Sequence, residues 1–309
     1  MRRRWVWMGI MAVLFPLWGT ASALAAVPVE VLGIDLTHQE QQQMLRAFGV
    51  RPDVPAKIVY VSHDQELQVL GGIAAPGEVP RMARTAVDLM PERMGSALHV
   101  HLHNIRYVTA PMYVAALATA GVSDESIRVD APAAQNGIAA FADMLWGYQA
   151  ATGAPLAPSR RRLAARELVL TANLGHRTAY PGRVVDVIGA LKEQVVAGSV
   201  QGPSAIEQHL VVDARHQHLF LSPGEESAVV LLMERIARLP ISAAQIHRQT
   251  AGPRREGVQA HVWWSALARL WQWVRAHILH FPHPTTGRVD GFRGRSVDSK
   301  HQGEILVRP

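Results

Sequence analysis

Three histidines at alternate positions are the first residues of the chain whose spacing suggests chemistry. His99, His101 and His103 are separated by single apolar residues, a pattern with the period of a β-strand. A strand would place the three imidazoles on one face, where they could bind a metal such as zinc without any thiolate. Asp130 or His63 would supply a fourth ligand. The alternative is that they form the polar face of a half-exposed strand, which needs no metal.

Motifs that mark hydrolases are missing from the sequence. It contains no Gly-x-Ser-x-Gly and no His-Glu-x-x-His segment. With no cysteine, it has no thiol nucleophile, no thiolate metal site and no disulfide framework. His216 and His218 form a weaker candidate metal pair. We therefore predict no catalytic residue and no cofactor, while a metal-dependent hydrolase using the His-x-His-x-His strand remains an alternative.

The segments around the histidine strand indicate an α/β domain over residues 26–152. Strand and helix candidates alternate there, which is typical of α/β folds. Residues 57–61 are expected to form a buried strand, Asp124 and Glu125 are expected to lie in a solvated turn, and residues 73–97 show no clear element. A capping box at Thr37 is expected to begin the first helix.

A linker at residues 153–158 is expected to separate this domain from a helical one. Beyond the linker no convincing strand is found, and helices are expected to start near Ser159, Pro181, Ala205 and Ser222. The predicted fold class is therefore α+β overall, with an α/β domain followed by an all-helical domain over residues 153–250.

The first 25 residues have the features of a signal peptide. Arg2–Arg4 precede an uncharged run, Trp5–Trp18, and Ala-x-Ala sites end at Ala23 and Ala25. The run is shorter than the ~20 residues that a membrane-spanning helix usually needs. The pattern predicts a protein that is secreted or associated with the cell envelope, outside the cytoplasmic membrane. An uncleaved N-terminal anchor is the alternative.

Charge is distributed unevenly along the chain. Residues 26–250 carry 19 basic and 21 acidic side chains, whereas residues 251–309 carry 9 basic and 4 acidic ones. A nearly neutral body argues against a nucleic-acid partner. A basic tail on an exported protein predicts affinity for anionic lipid or an anionic cell-wall polymer.

The basic tail, residues 251–309, also contains a predicted amphipathic helix at residues 262–281. Three of its four tryptophans fall on one stripe and its arginines lie opposite, an arrangement that suits an anionic surface. Alternatively the stripe packs on the helical domain, or it joins copies into a structural oligomer. The candidate surface-anchoring residues are Trp263, Trp264, Trp271, Arg269 and Arg275.

Several stretches together resemble a known family. They are Leu32–Thr37, His103–Thr109, Ala116–Val122, Val129–Pro132 and Glu167–Val169 with Thr171. They resemble the YpuA family of secreted proteins from spore-forming Gram-positive bacteria, a domain of unknown function numbered one thousand and two. The resemblance covers about residues 29–247 and implies secretion and a shared fold, but no reaction. Residues 79–83 depart from the family pattern, and the Trp-rich tail is not part of it.

Three polar residues of the central family-like stretch, His103, Asn104 and Tyr107, are candidate ligand-binding residues. The alternative is that the segment from Tyr107 to Gly121 simply packs a helix on the sheet. The sequence thus predicts an exported, non-enzymatic, envelope-associated binding protein. The alternatives are the metal-dependent hydrolase and the oligomer assembled through the tail helix.

Overall fold

The computed structural model describes residues 27–51 and 56–250, all within a unit of the chain that ends at Arg254. The expected signal peptide and the basic tail with its helix at residues 262–281 lie outside the described residues. The described strands are β1 (Val29–Gly33), β2 (Lys57–Val61), β3 (Ala86–Pro91), β4 (His99–Leu102) and β5 (Glu125–Asp130). The described helices are α1 (His38–Ala47), α2 (His63–Leu70), α3 (Ala110–Ala120), α4 (Ile138–Thr152), α5 (Pro158–Thr178), α6 (Pro181–Val196), α7 (Pro203–His216), α8 (Pro223–Ala237) and α9 (Ala243–Thr250).

The strands form one mixed sheet in the order β2-β1-β3-β5-β4. β1 pairs in parallel with β2, β4 pairs in parallel with β5, and β3 is antiparallel to both β1 and β5. Four strands therefore run in one direction and finish at the same end of the sheet, which we call the carboxyl end. β3 begins at this end.

Local capping signals set the bounds of several helices as the sequence predicts. Reciprocal capping boxes begin α1 at Thr37, α2 at Ser62 and α8 at Ser222. Gly121 ends α3 in the left-handed conformation, with a φ of 94°. These contacts join residues at most four apart in sequence, so the pattern could be read without the tertiary structure.

The described residues contain two larger hydrophobic cores and two smaller clusters, and α5 contributes to both of the larger cores. The first core lies between the sheet and α2–α5, and the second lies among α5–α8. In α5, Leu168 packs in the first core and Leu174 in the second. The fold is mixed α and β, with all described strands before residue 131 and helices alone after it. Whether the chain divides into separate domains near residue 153 stays a prediction.

Two strand predictions need correction. β2 was expected to be buried, but it is an edge strand whose Ile58 and Tyr60 are exposed. The central strand β3 lies within residues 73–97, where the sequence showed no clear element. In β3 the charged residue Asp88 interrupts the apolar pattern, and its partner Arg128 lies 40 residues away in sequence. Pairing between distant segments therefore decides both strands.

The predicted solvated turn before β5 is also wrong for one of its two residues. Glu125 is buried, and it begins the strand rather than the turn. Burial raises the pKa of Glu125 to about 7, with further contributions from the neighbouring carboxylates of Asp124, Glu92 and Asp88. Among the described helices, α4 begins after Gly137, and α9 was not predicted.

None of the helices that the structure describes is both long enough and apolar enough to cross a membrane.

Candidate functional site

The carboxyl end of the sheet collects polar side chains from several strands. Asp35 follows β1 and His63 follows β2, while Asp130 is the last residue of β5 and His103 directly follows β4. Open α/β sheets bind ligands outside the carboxyl ends of their strands, because loops and helix starts converge there. This end of the sheet is therefore the candidate functional site.

His103 is the exposed group that the fold orients most directly at this site. Its Nδ1 lies 2.7 Å from Oδ1 of Asp130, and 72% of its side chain is exposed. A carboxylate can only accept, so Nδ1 donates and Nε2 becomes the nitrogen available to a ligand. Nε2 can accept from a hydroxyl when the ring is neutral and donate to an anion when the ring is protonated.

The loop of residues 103–109, which we call the 103–109 loop, is fixed on both sides. Asn104 has a positive φ of 56°, and its Nδ2 donates to the carbonyl of Ala131 at 2.7 Å. Tyr107 donates to Oδ1 of Asn173 on α5 at 2.7 Å, and its ring centroid lies 4.9 Å from that of His176. The predicted ligand-binding residues thus lie in one loop, with His103 exposed and Asn104 and Tyr107 half-buried.

The other predicted histidines are placed without forming a metal cluster. His99 lies opposite Ser126 and His101 lies opposite Arg128 in the β4–β5 register, so both sit on the same face of the sheet. Within residues 27–51 and 56–250, no group of three or more His, Cys, Asp or Glu side chains is arranged to hold a metal ion. The metal site at His99, His101 and His103 stays a prediction without structural support.

Two buried acids near the carboxyl ends of β1 and β2 were missed by the sequence analysis. Glu66 of α2 and Asp143 of α4 are both fully buried. Both side-chain oxygens of Glu66 and Oδ1 of Asp143 lack a hydrogen-bond partner among the described residues, while Oδ2 of Asp143 accepts from Thr85. Burial raises the pKa of Glu66 to about 8 and that of Asp143 to about 7.

A sequence signal for these acids does exist. Glu66 precedes the buried Val69 and Leu70 by three and four positions, so it lies on the apolar stripe of α2. Asp143 interrupts the otherwise apolar start of α4. An acid on an apolar stripe is unusual because burying an unpaired charge is costly, and this pattern could have marked both residues.

A second group of buried charges crosses the middle of the sheet. Glu30, Asp88 and Arg128 are register partners on β1, β3 and β5. Arg128 donates from Nε to Oδ2 of Asp88 at 2.6 Å, donates to the carbonyl of Phe48, and lies over the Phe48 ring. Burial and the adjacent Asp88 raise the pKa of Glu30 to about 8. This group ties the end of α1 to the sheet.

The fold and site together define a mixed α/β protein that presents a polar loop at the carboxyl end of its sheet and extends into a set of helices. The chain belongs to the family described as "Protein of unknown function (DUF1002)", whose model matches residues 32–252. It is similar to "Uncharacterized protein YpuA" of Bacillus subtilis (strain 168), with 28% identity over 250 residues that cover 79% of this chain and 85% of that protein. No solved structure matches the chain significantly. The family predicted from the sequence is confirmed.

The family-like stretches fall mainly at the candidate site. Leu32–Thr37 spans the end of β1, His103–Thr109 is the 103–109 loop, and Val129–Pro132 spans the end of β5. Of the two remaining stretches, Ala116–Val122 covers the end of α3, where Thr119 donates to Glu167. Glu167 belongs to the other stretch, is buried in α5 and pairs with Lys192 of α6. The resemblance therefore concentrates at one end of the sheet and at one buried ion pair.

Proposed function

We propose that the protein is exported and acts as an envelope-associated binding protein. It recognises a phosphate-bearing, hydroxyl-rich anionic surface through the 103–109 loop. The basic tail, residues 251–309, keeps the protein near that surface. The observation that carries the proposal is the exposed His103, held by Asp130 at the end of the sheet where α/β folds bind ligands.

The surroundings of His103 support recognition of an anion. Arg106 is exposed in the same loop, and His176 of α5 is exposed beside Tyr107. The nearest acids are already engaged: Asp130 accepts from His103, and Glu78 accepts from the backbone N–H of Ala75 at 2.6 Å. The side chains left to meet a ligand are thus the guanidinium of Arg106 and the exposed imidazoles of His103 and His176, and these groups suit phosphate and sugar hydroxyls.

The test is co-sedimentation of the full chain with isolated cell walls, with phosphatidylglycerol vesicles and with neutral phosphatidylcholine vesicles. We expect the wild type to bind walls or anionic vesicles and not neutral ones. The double variant His103→Ala, Arg106→Ala should bind at least about tenfold more weakly, because two ligand contacts are lost. The matched control is His209→Ala, Arg215→Ala on α7, where both side chains are also exposed.

Each result separates the contributions of the loop and the tail. Equal weakening by both double variants would mean that only net charge matters, and the loop would not be the binding site. A variant with Trp263, Trp264 and Trp271 changed to Ala should no longer bind vesicles. It should still bind wall polymer, because the 103–109 loop is intact. If the wild type binds none of the three surfaces, the envelope-binding proposal is wrong.

Export has its own test. We expect the protein recovered outside the cytoplasmic membrane to begin just after Ala23 or Ala25, as determined by N-terminal sequencing. Recovery of the uncleaved chain in the membrane fraction would support the N-terminal anchor instead.

A further inference from the structure

Glu66 and Asp143 are buried acids whose negative charges no Lys or Arg of the described residues compensates. Both side chains are fully buried, and three of their four oxygens have no hydrogen-bond partner among the described residues. Neither carboxyl forms an ion pair with a Lys or Arg of the described chain. The nearest basic group is His63, whose Nδ1 lies 3.5 Å from Oε2 of Glu66 without hydrogen-bonding to it. Two ionised carboxylates here would be uncompensated in a dry site.

The groups that face this pair come from each neighbouring element. Asp143 of α4 lies close enough to Glu66 to raise its pKa, and Asp35 in the turn after β1 adds a further negative charge. Thr85, at the start of β3, donates to Asp143, and the buried Tyr113 of α3 lies near Asp143 as well. α5 also contacts α2, but no α5 side chain bonds to either carboxyl. The charged groups that approach Glu66 are thus almost all acidic.

We propose that Glu66 and Asp143 form a proton-binding pair that keeps α2 docked on α4 while at least one carboxyl is protonated, and that releases α2 when both ionise. This inference goes beyond the proposed function and does not depend on it. Neutralisation by protons fits better than neutralisation by a metal, because the described residues offer no set of three metal ligands.

α2 is the element that can move when the two carboxyls ionise. It has eight residues, and Glu66 lies in its first two turns. Its backbone is tied to α4 by Trp146, whose Nε1 donates to the carbonyl of Gln65 at 3.2 Å. Releasing α2 would carry Glu66 into water, which removes the repulsion between the two carboxylates at the cost of this bond and of the burial of Val69 and Leu70.

The direction of the pH effect follows from the acids themselves. A carboxyl that keeps its proton in the folded state and loses it on exposure favours the docked state at low pH. Docking therefore weakens as the pH rises through about 7 to 8, where these two carboxyls titrate.

The test is hydrogen exchange of the full chain followed by mass spectrometry between pH 5.5 and 9, corrected for the intrinsic exchange rate. We expect protection of α2 relative to α8 to fall by up to about tenfold per pH unit as the pH rises towards 7 to 8, and to level off above that range, because both the docked and the released states are then ionised. Glu66→Gln should make α2 protection nearly independent of pH, because the residue that α2 carries into water no longer titrates. Asp143→Asn should weaken the pH dependence by removing the neighbouring negative charge, while burial of Glu66 keeps part of it. The matched control is Glu207→Gln, an exposed carboxyl on α7, which should behave like the wild type.

Three results would overturn the proposal. One is α2 protection in the wild type that does not change with pH. Another is an unchanged pH dependence in Glu66→Gln and Asp143→Asn. The third is a stoichiometric divalent metal in the purified protein whose removal by a chelator loosens α2 at pH 7, since a cation would then replace the protons. If neither variant folds, infrared spectra of the wild type and of the double variant Glu30→Gln, Glu125→Gln decide, because the proposal requires a protonated carboxyl band at pH 7 that disappears by pH 9 and that remains when these other two buried acids are removed.

Discussion

At the scale of single residues, the buried ion pair between Lys192 and Glu167 shows how polar groups are accommodated inside this fold. Nζ of Lys192 donates to Oε1 of Glu167 at 2.6 Å and to the carbonyl of Ala115 at 2.8 Å. Thr119 donates to the other oxygen of Glu167. Both charges are thus matched, and the pair joins α3, α5 and α6. This contrasts with Glu66 and Asp143, whose oxygens mostly lack partners.

We predict that Lys192→Met lowers the free energy of unfolding by about 3–5 kcal/mol, because it leaves Glu167 charged and unpaired in the interior. The double variant Lys192→Met, Glu167→Gln should recover much of that loss, since no charge is then buried. The measurement is urea unfolding followed by circular dichroism.

The control for this prediction is the partly exposed pair of Arg177 and Glu225. Arg177→Ala should cost no more than about 1 kcal/mol, because solvent screens the interaction. If Lys192→Met were as mild as Arg177→Ala, Lys192 would not be holding a buried charge.

At the scale of elements, the end of β1 depends on close approach of two backbone segments. A Cβ at Gly33 would lie 2.1 Å from the carbonyl oxygen of Ala83. The same contact region holds Asp35, whose Oδ2 accepts from the backbone N–H of Ala83 at 2.7 Å. β1 can therefore turn into α1 beside the segment before β3 only if residue 33 lacks a side chain.

Gly33→Ala is accordingly expected to destabilise the protein by about 3 kcal/mol or more, because backbone atoms must move to relieve the clash. Gly189→Ala in α6 is the comparison, since nothing lies within 4 Å of its Cβ position. That change should stabilise the protein by about 0.5–1 kcal/mol through helix propensity. Thermal unfolding of the two variants measures both effects, and a tolerated Gly33→Ala would contradict the packing at this strand end.

The elements also differ in how far the sequence predicts them. Thr37 and Ser222 begin their helices through contacts made within four residues, and these two predictions are confirmed. β3 depends on pairing with β1 and β5, and its Asp88 is balanced by Arg128 from another strand. No local pattern contains that information, so the central strand could not be predicted.

At the scale of the whole molecule, several buried carboxyls act together on stability. Burial raises the pKa of Glu30 and of Glu66 to about 8, and that of Glu125 and of Asp143 to about 7. Each keeps its proton in the folded chain above about pH 4.5, where the unfolded chain has released it. Their stabilising contribution is therefore present at low pH and is lost as the pH rises through 7 to 8.

We predict that the free energy of unfolding falls between about pH 5 and pH 8.5, with each such group contributing about 1.4 kcal/mol per pH unit within its own window. Below that range, stability should fall again, because hydrogen bonds from Thr37 hold the pKa of Glu40 below its usual value, and those from Ser222 do the same for Glu225. Chemical unfolding at five pH values would show this maximum. A curve that is flat or rising from pH 5 to 8.5 would mean that these carboxyls are ionised in the folded protein.

The sequence by itself determined the family and several helix starts, among them those at Thr37 and Ser222, and it singled out the three candidate residues of the 103–109 loop. These features are encoded in short stretches, where caps, periodicity and motifs act over a few positions. Only the tertiary structure decided that β3 is central and β2 is an edge, that Glu125 is buried, and that Glu66 and Asp143 meet. Strand order and the pairing of buried groups depend on contacts between segments tens of residues apart. A pattern within one segment, such as an acid on an apolar stripe, can mark burial but does not identify the partner.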